Sequence, residues 1–260
     1  MKPNDKIVGR PIKLNKQVLT PKQGKNYAEV VFLGDIHLGS PQFDQPRFLA
    51  MLDYCEKNDV YVLGMGDYLE MATRHSVGAG VYEQEFPGQT QYETMVDWLK
   101  PLAKKNLILG LLQGNHSERV YKETGVNIVK AMCRELDTPY LGDACWNLFR
   151  VGKQSYSIYS LHGRSGARFE GTALLALERL AAPFHGDLVC CGHSHKIINS
   201  SILMQRVYNG LVVEHKKHLL ITGSYVKYGG YAQTWGLPPS KLGSPKVKFF
   251  ADRHDISISW

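Results

Sequence analysis

Five short apolar runs in this chain each lead into a glycine flanked by an Asp, Asn or His, and that repetition limits the available folds. Residues 28–33 (AEVVFL) lead into Gly34-Asp35-Ile36-His37, and 60–65 (VYVLGM) into Gly66-Asp67. Residues 107–112 (LILGLL) lead to Gly114-Asn115-His116, 156–161 (YSIYSL) to His162-Gly163, and 187–191 (DLVCC) to Gly192-His193-Ser194-His195. Apolar, partly β-branched runs of this length bounded by glycine predict strands. Helix-like stretches at 47–56, 90–105, 126–136 and 172–180 alternate with them, which predicts an α/β domain with helices covering its sheets. In such sheets, sites gather beyond the carboxyl ends of the strands. Five strands would therefore deliver polar side chains to one edge, with glycines permitting sharp exits and close backbone approach.

After residue 196 the pattern turns β-rich, with strands expected at 201–208, 219–222, 246–250 and 256–260 and a hairpin over 147–160. No linker divides the chain, so 27–260 is read as one domain preceded by a basic N-terminal extension, 1–26. That extension carries seven basic residues and one acid; residues 196–260 carry nine and three, and the segment between is net acidic. An acidic middle suits cation binding, and basic ends suit an anionic substrate. The five cysteines are scattered without C-x-x-C spacing, which fits a reducing compartment. No continuous apolar segment suggests a signal peptide or membrane span, so a cytoplasmic location is expected, with no membrane and no obligate protein partner.

Of ten histidines, His37, His116, His162, His193 and His195 sit at strand ends beside glycine, whereas His75, His185, His215, His218 and His254 lack that setting; His215 and His218 read as a solvated loop. Imidazole, carboxylate and amide oxygen together suit Mn, Fe, Zn, Co or Ni better than Ca or Mg. The order Asp-x-His, Gly-Asp, Gly-Asn-His, His-Gly, Gly-His-x-His resembles that of the calcineurin-like metallophosphoesterases, over roughly residues 28–225. The resemblance implies a four-layer sandwich: two facing mixed β-sheets flanked by helices, with a dinuclear metal site at the strand C-terminal ends. It assigns Asp35, His37, Asp67 and His195 to one divalent ion and Asp67, Asn115, His162 and His193 to a second, Mn being the first choice. It further implies hydrolysis of a phosphoester by a metal-bridging hydroxide, with His116 as proton donor; the alternative for His116 is support of a neighbouring ligand.

Two departures narrow the resemblance. Tyr68-Leu69-Glu70 follows Asp67 where the protein serine/threonine phosphatases carry Val-Asp-Arg-Gly, and Ser117 follows His116 where an acid is more usual. Gly-Asn-His is intact, unlike the pattern in lipid A precursor hydrolases. No Ser or Cys has a nucleophile's setting, so no covalent phospho-enzyme is expected. Arg74, Arg119, Arg164 and Arg168 are candidates to hold phosphate, and the connection over 73–89 could overhang the site. The segment 223–244 interleaves Tyr225, Tyr228, Tyr231 and Trp235 with Lys227 and Lys241, a composition suited to stacking bases, although such loops also simply pack. The expected substrate is a nucleic acid or nucleotide phosphodiester. Alternatives are a phosphomonoesterase or pyrophosphatase on small molecules, and a non-catalytic scaffold.

Overall fold

The computed structural model describes residues 12–74, 76, 80–163 and 166–260. Among these, the strands are β1 (Lys13–Leu19), β2 (Tyr27–Leu33), β3 (Tyr61–Gly64), β4 (Ile108–Leu112), β5 (Tyr140–Gly142), β6 (Ala144–Val151), β7 (Gln154–Leu161), β8 (Leu188–Cys191), β9 (Ile197–Tyr208), β10 (Leu211–Thr222), β11 (Lys246–Phe250) and β12 (Ile256–Ser259). The helices are α1 (Gln45–Asn58), α2 (Gly88–Lys104), α3 (Asn115–Thr124), α4 (Ile128–Glu135), α5 (Glu170–Ala181) and the short α6 (Tyr231–Thr234).

Each sheet has six strands, in the orders β12-β11-β2-β3-β4-β5 and β1-β6-β7-β8-β10-β9. In the first, β2, β3, β4 and β5 run parallel and β11 and β12 add antiparallel strands; in the second, β7, β8 and β10 are parallel, β9 runs antiparallel to β10, and β6 runs antiparallel to β7 and parallel to β1. Both are mixed sheets, and they face each other. Phe32, Leu63, Leu109 and Leu112 of one meet Phe149, Tyr156, Ile158, Leu188 and Leu220 of the other in one buried cluster.

The outer faces are covered by helices. On α1, Phe48, Leu52 and Cys55 recur at helical spacing and are buried, together with Met95 and Leu99 of α2 and Met132 of α4, against Val31, Val62 and Leu111. Asp44 caps α1, accepting from the Arg47 N–H. Ala173, Leu177 and Ala181 of α5 cover Tyr159, Val189, Leu219 and Ile221 of the second sheet. Helix, sheet, sheet, helix is the four-layer sandwich expected from the resemblance. Because both faces of β2, β3, β4 and β8 are covered, those strands read as continuous apolar runs.

Three segments differ from expectation. Residues 13–19, placed in the basic extension, form β1, which pairs in parallel with β6. Its Lys13, Leu14, Lys16 and Val18 are exposed, so it carries no buried-strand pattern. Asn15 ties it inward, donating to the Leu109 carbonyl at 3.0 Å and the Asn147 Oδ1 at 3.0 Å. Residues 115–124 form α3, which has no fully buried residue and hence no apolar stripe to read. His215 and His218 belong to β10, where pairing with β9 overrides the solvated-loop reading, and His218 is buried. No helix among the described residues is long and apolar enough to cross a membrane.

Candidate metal centre

The loops after β2, β3, β4, β7 and β8 bring their polar residues to one place. Asp35, His37 and His195 form one group of converging donor atoms; Asp67, His162 and His193 form another, and within each group the donor atoms lie within 4.8 Å of one another. Asn115 joins the second group through its Oδ1, 2.9 Å from His162 Nε2. All seven residues expected as ligands thus meet at the strand ends.

The backbone is bent to achieve this. Ten non-glycine residues have positive φ among those described, and Asp35, His37, Asp67, His193 and His195 are five of them, with φ between 48° and 68°. Such conformations are uncommon outside glycine and persist where surrounding structure enforces them. Two glycines make room: a Cβ on Gly114 would collide with the Asp67 carboxylate, and one on Gly66, at φ 97°, would lie 2.6 Å from His162 Nδ1.

Hydrogen bonds fix which nitrogen of each imidazole faces inward. His162 Nδ1 meets the Met65 carbonyl oxygen at 2.8 Å and must donate to it. In the neutral ring its Nε2 is then a bare lone pair, yet it faces two acceptors, Asp67 Oδ2 at 3.1 Å and Asn115 Oδ1 at 2.9 Å. His37 Nδ1 meets Glu70 Oε2 at 3.0 Å, leaving its Nε2 3.2 Å from His195 Nε2 and 3.9 Å from both Asp35 Oδ1 and Asp67 Oδ2. Asp35 Oδ1 is buried and has no hydrogen-bond partner. Lone pairs converging on one another in a buried site call for cations, and this nitrogen and oxygen donor set fits a divalent transition metal.

The electrostatics agree. Burial by itself would raise the Asp35 and Asp67 carboxyls, but the imidazoles of His195 and His37 beside the first, and those of His162 and His116 beside the second, hold both well below the usual range. Burial opposes protonation of His37 and His162, yet the facing carboxylates push them up to about 10 and about 9. The protons retained there occupy positions where a metal would sit.

His116 opens α3. Its backbone N–H donates to Asp67 Oδ1 at 2.9 Å, Nδ1 lies 2.7 Å from the Glu70 carbonyl oxygen and also touches Arg119 Nη2, and so Nε2 is the free ring nitrogen, 3.8 Å from Asp67 Oδ2. Burial lowers this imidazole to about 4. Sequence reasoning missed Glu70. Although burial disfavours its charge, hydrogen bonding to His37 and the charges of His37, His116 and Arg119 hold it at about 2. It orients His37 and stands 3.6 Å from His116 Nδ1, in the place of the acid that Ser117 does not supply. Its position three residues after Asp67 was the available signal.

A cleft of about 580 Å³ opens over this centre, lined by His37, Asp67, Asn115, His116, His193 and His195 and, further along, by Arg168, Tyr228 and Trp235. Tyr228 therefore stands where a substrate residue was expected. Tyr225 does not: it is fully buried, its ring 5.4 Å from that of Phe48 and its backbone bonded to Asp35 and Asp44. It is a core residue, the packing alternative for that loop. Arg119 lies behind His116, donating to the Glu70 carbonyl at 3.1 Å, and is not part of the cleft wall. Arg74 is exposed and also outside that wall. Arg164 and His75 fall outside the described residues.

No family model and no curated protein matches the chain. Among solved structures it is similar to wild-type Vps29 complexed with zinc from Entamoeba histolytica, at 16% identity over 89% of this chain and 97% of that one, with a TM-score of 0.39. It is also similar to a predicted phosphoesterase from Streptococcus pneumoniae (13% identity, 90% of each chain, TM-score 0.37) and to a metallophosphoesterase from Sphaerobacter thermophilus (11% identity, 90% of this chain and 87% of that one, TM-score 0.43). At these identities and TM-scores, the chain's own donor atoms carry the functional reading.

Proposed function

We propose that this protein is a metal-dependent phosphoesterase, and that its substrates are phosphodiesters of nucleotides or nucleic acids. The observation that carries the first part is the set of inward lone pairs: His37 Nε2, His162 Nε2, Asp35 Oδ1 and Asp67 Oδ2 converge with too few protons among them. Asp35, His37, Asp67 and His195 would hold one ion, and Asp67, Asn115, His162 and His193 the other, Mn being the first choice. Two such cations supply Lewis-acid charge for the phosphoryl oxygens and an activated water.

The chain's own groups do the rest. Glu70 and the Met65 carbonyl fix the tautomers of His37 and His162, keeping their inner nitrogens free. His116 Nδ1 meets both a donor, Arg119 Nη2, and an acceptor, the Glu70 carbonyl oxygen; in the tautomer that accepts from Arg119 the proton sits on Nε2. A neutral His116 can then give a hydrogen bond to the departing oxygen as charge builds there. The diester reading is supported by the aromatic and cationic wall of Arg168, Lys227, Tyr228 and Trp235.

The test compares bis(p-nitrophenyl) phosphate with p-nitrophenyl phosphate on protein stripped of metal and refilled with Mn. Faster diester cleavage, lost in Asp67→Ala and reduced in His116→Ala, is the expected result. Faster monoester cleavage would move the reading to a small-molecule phosphatase. Bound metal without turnover of either substrate would favour the scaffold.

A further inference from the structure

Beyond the donor residues, the cleft contains a cation without a partner. Lys196 follows His195 directly, lines the cleft and is only 5% exposed, and its ammonium has no hydrogen bond or ion pair among the described residues. An ammonium held at a cleft wall without a carboxylate partner favours an incoming anion. The carboxylates that line the cleft, Asp67 and Glu70, are engaged by histidines. Beside Lys196, the Ser194 Oγ is buried and also lacks a partner. The turn after β8 therefore offers an ammonium and a hydroxyl next to two imidazoles, and a tetrahedral oxyanion would satisfy both.

The same cleft continues to a different chemistry. Tyr228 and Trp235 line it and remain half-exposed, at 50% and 52%, with Leu237 and Pro238 beside them. Half-exposed aromatic side chains lining a cleft suit a flat ring rather than a second phosphate. A volume of about 580 Å³ is within the range that holds a small organic ligand.

We propose that Lys196, with Ser194, anchors the phosphate of a nucleotide unit while Trp235 and Tyr228 stack on its base. This rests on the phosphoester reading of the same site and deepens it by naming the residues that hold the phosphate and the base. The unit could be a free mononucleotide or the end of a single strand; the shared chemistry is a base joined to a phosphate through a sugar.

The experiment is calorimetric binding of inorganic phosphate, ribose 5-phosphate, AMP and a single-stranded octa-adenylate to the full chain, in EDTA and with Mn, cleavage of the octa-adenylate being followed in the second case. Lys196→Met is expected to weaken phosphate and AMP alike, by about tenfold or more, with Lys196→Arg retaining most of the affinity. Trp235→Ala is expected to weaken AMP by roughly tenfold and leave phosphate and ribose 5-phosphate unchanged. Tighter binding of the octamer than of AMP would identify a strand end as the source, and equal binding a free nucleotide.

The proposal is overturned if Lys196→Met binds phosphate like the wild type, if Trp235→Ala leaves AMP unchanged or shifts it and phosphate equally, or if the wild type binds neither. Failure of the broader reading looks different. Without metal uptake or hydrolysis, but with the variant pattern intact in EDTA, the nucleotide subsite stands and the phosphoesterase assignment falls.

Discussion

The two ends of β8 each carry a buried carboxylate surrounded by imidazoles, yet only one end has the makings of a reactive site. At the amino end, Asp187 Oδ2 accepts from the Ser157 N–H at 2.7 Å and from its hydroxyl at 2.9 Å, while Oδ1 meets His254 Nε2 at 2.8 Å. Its backbone has ordinary φ and is bonded to Ser157 and His218. At the carboxyl end, Asp35 is fully buried, but its Oδ1 accepts no hydrogen bond, and the imidazoles of His37 and His195 approach it from residues with positive φ. Composition does not separate the two clusters. The count of donors against acceptors does, because a satisfied carboxylate already contributes to the fold whereas an unsatisfied one requires a ligand.

That contrast can be broken most forcefully at Asp67. Asp67→Ala should cost roughly a thousandfold or more in Mn-dependent hydrolysis, several kcal/mol of transition-state stabilisation, with the chain still folded by circular dichroism. A variant retaining a tenth of wild-type activity would refute the shared-ligand role proposed for Asp67. Glu70→Gln probes the support of His37 and should lower metal affinity or activity by about 10–100-fold, as read by metal titration. An unchanged affinity would make Glu70 a bystander.

The satisfied cluster should respond in the opposite way. Asp187→Ala strands the partly buried Ser157 N–H and is expected to cost about 1–3 kcal/mol of stability, measured by urea unfolding, with hydrolysis of the aryl diester unchanged. Lost metal binding in that variant would erase the distinction between the two ends.

The smallest effect concerns pH. In metal-free protein His37 and His162 are raised to about 10 and about 9, so the stability from their bound protons is complete below their ordinary value near 6.5 and is lost as pH climbs through 9 to 10. The melting temperature of chelated protein should therefore fall between pH 6.5 and 9.5, and Mn should restore more of it at the upper pH, where protons no longer compete. A melting temperature that rises over that range would contradict the inward placement of these imidazoles.

Most of the fold was legible because its central strands are covered on both faces and so appear as apolar runs between glycines, and the helices covering one face repeat at helical spacing. The segments that escaped lack such signals. β1 is an edge strand whose alternate side chains are exposed, and α3 has no fully buried residue. The donor residues were legible for a related reason: each follows directly on a strand, so one sheet edge collects them.

Proximity between loops was not. The sequence by itself determined the strand–ligand repeat and the alternation of strands and helices, since periodicity and strand-end position are local properties of the chain, while the layered sandwich and the seven candidate ligands followed from the resemblance that this repeat carries. Only the tertiary structure decided that Glu70 reaches His37, that Arg119 turns behind His116, that Tyr225 is core while Tyr228 and Trp235 face the cleft, and that Lys196 is buried without a partner. The physical reason is that burial and hydrogen-bond satisfaction are sums over neighbours distant in the chain, which no local pattern encodes.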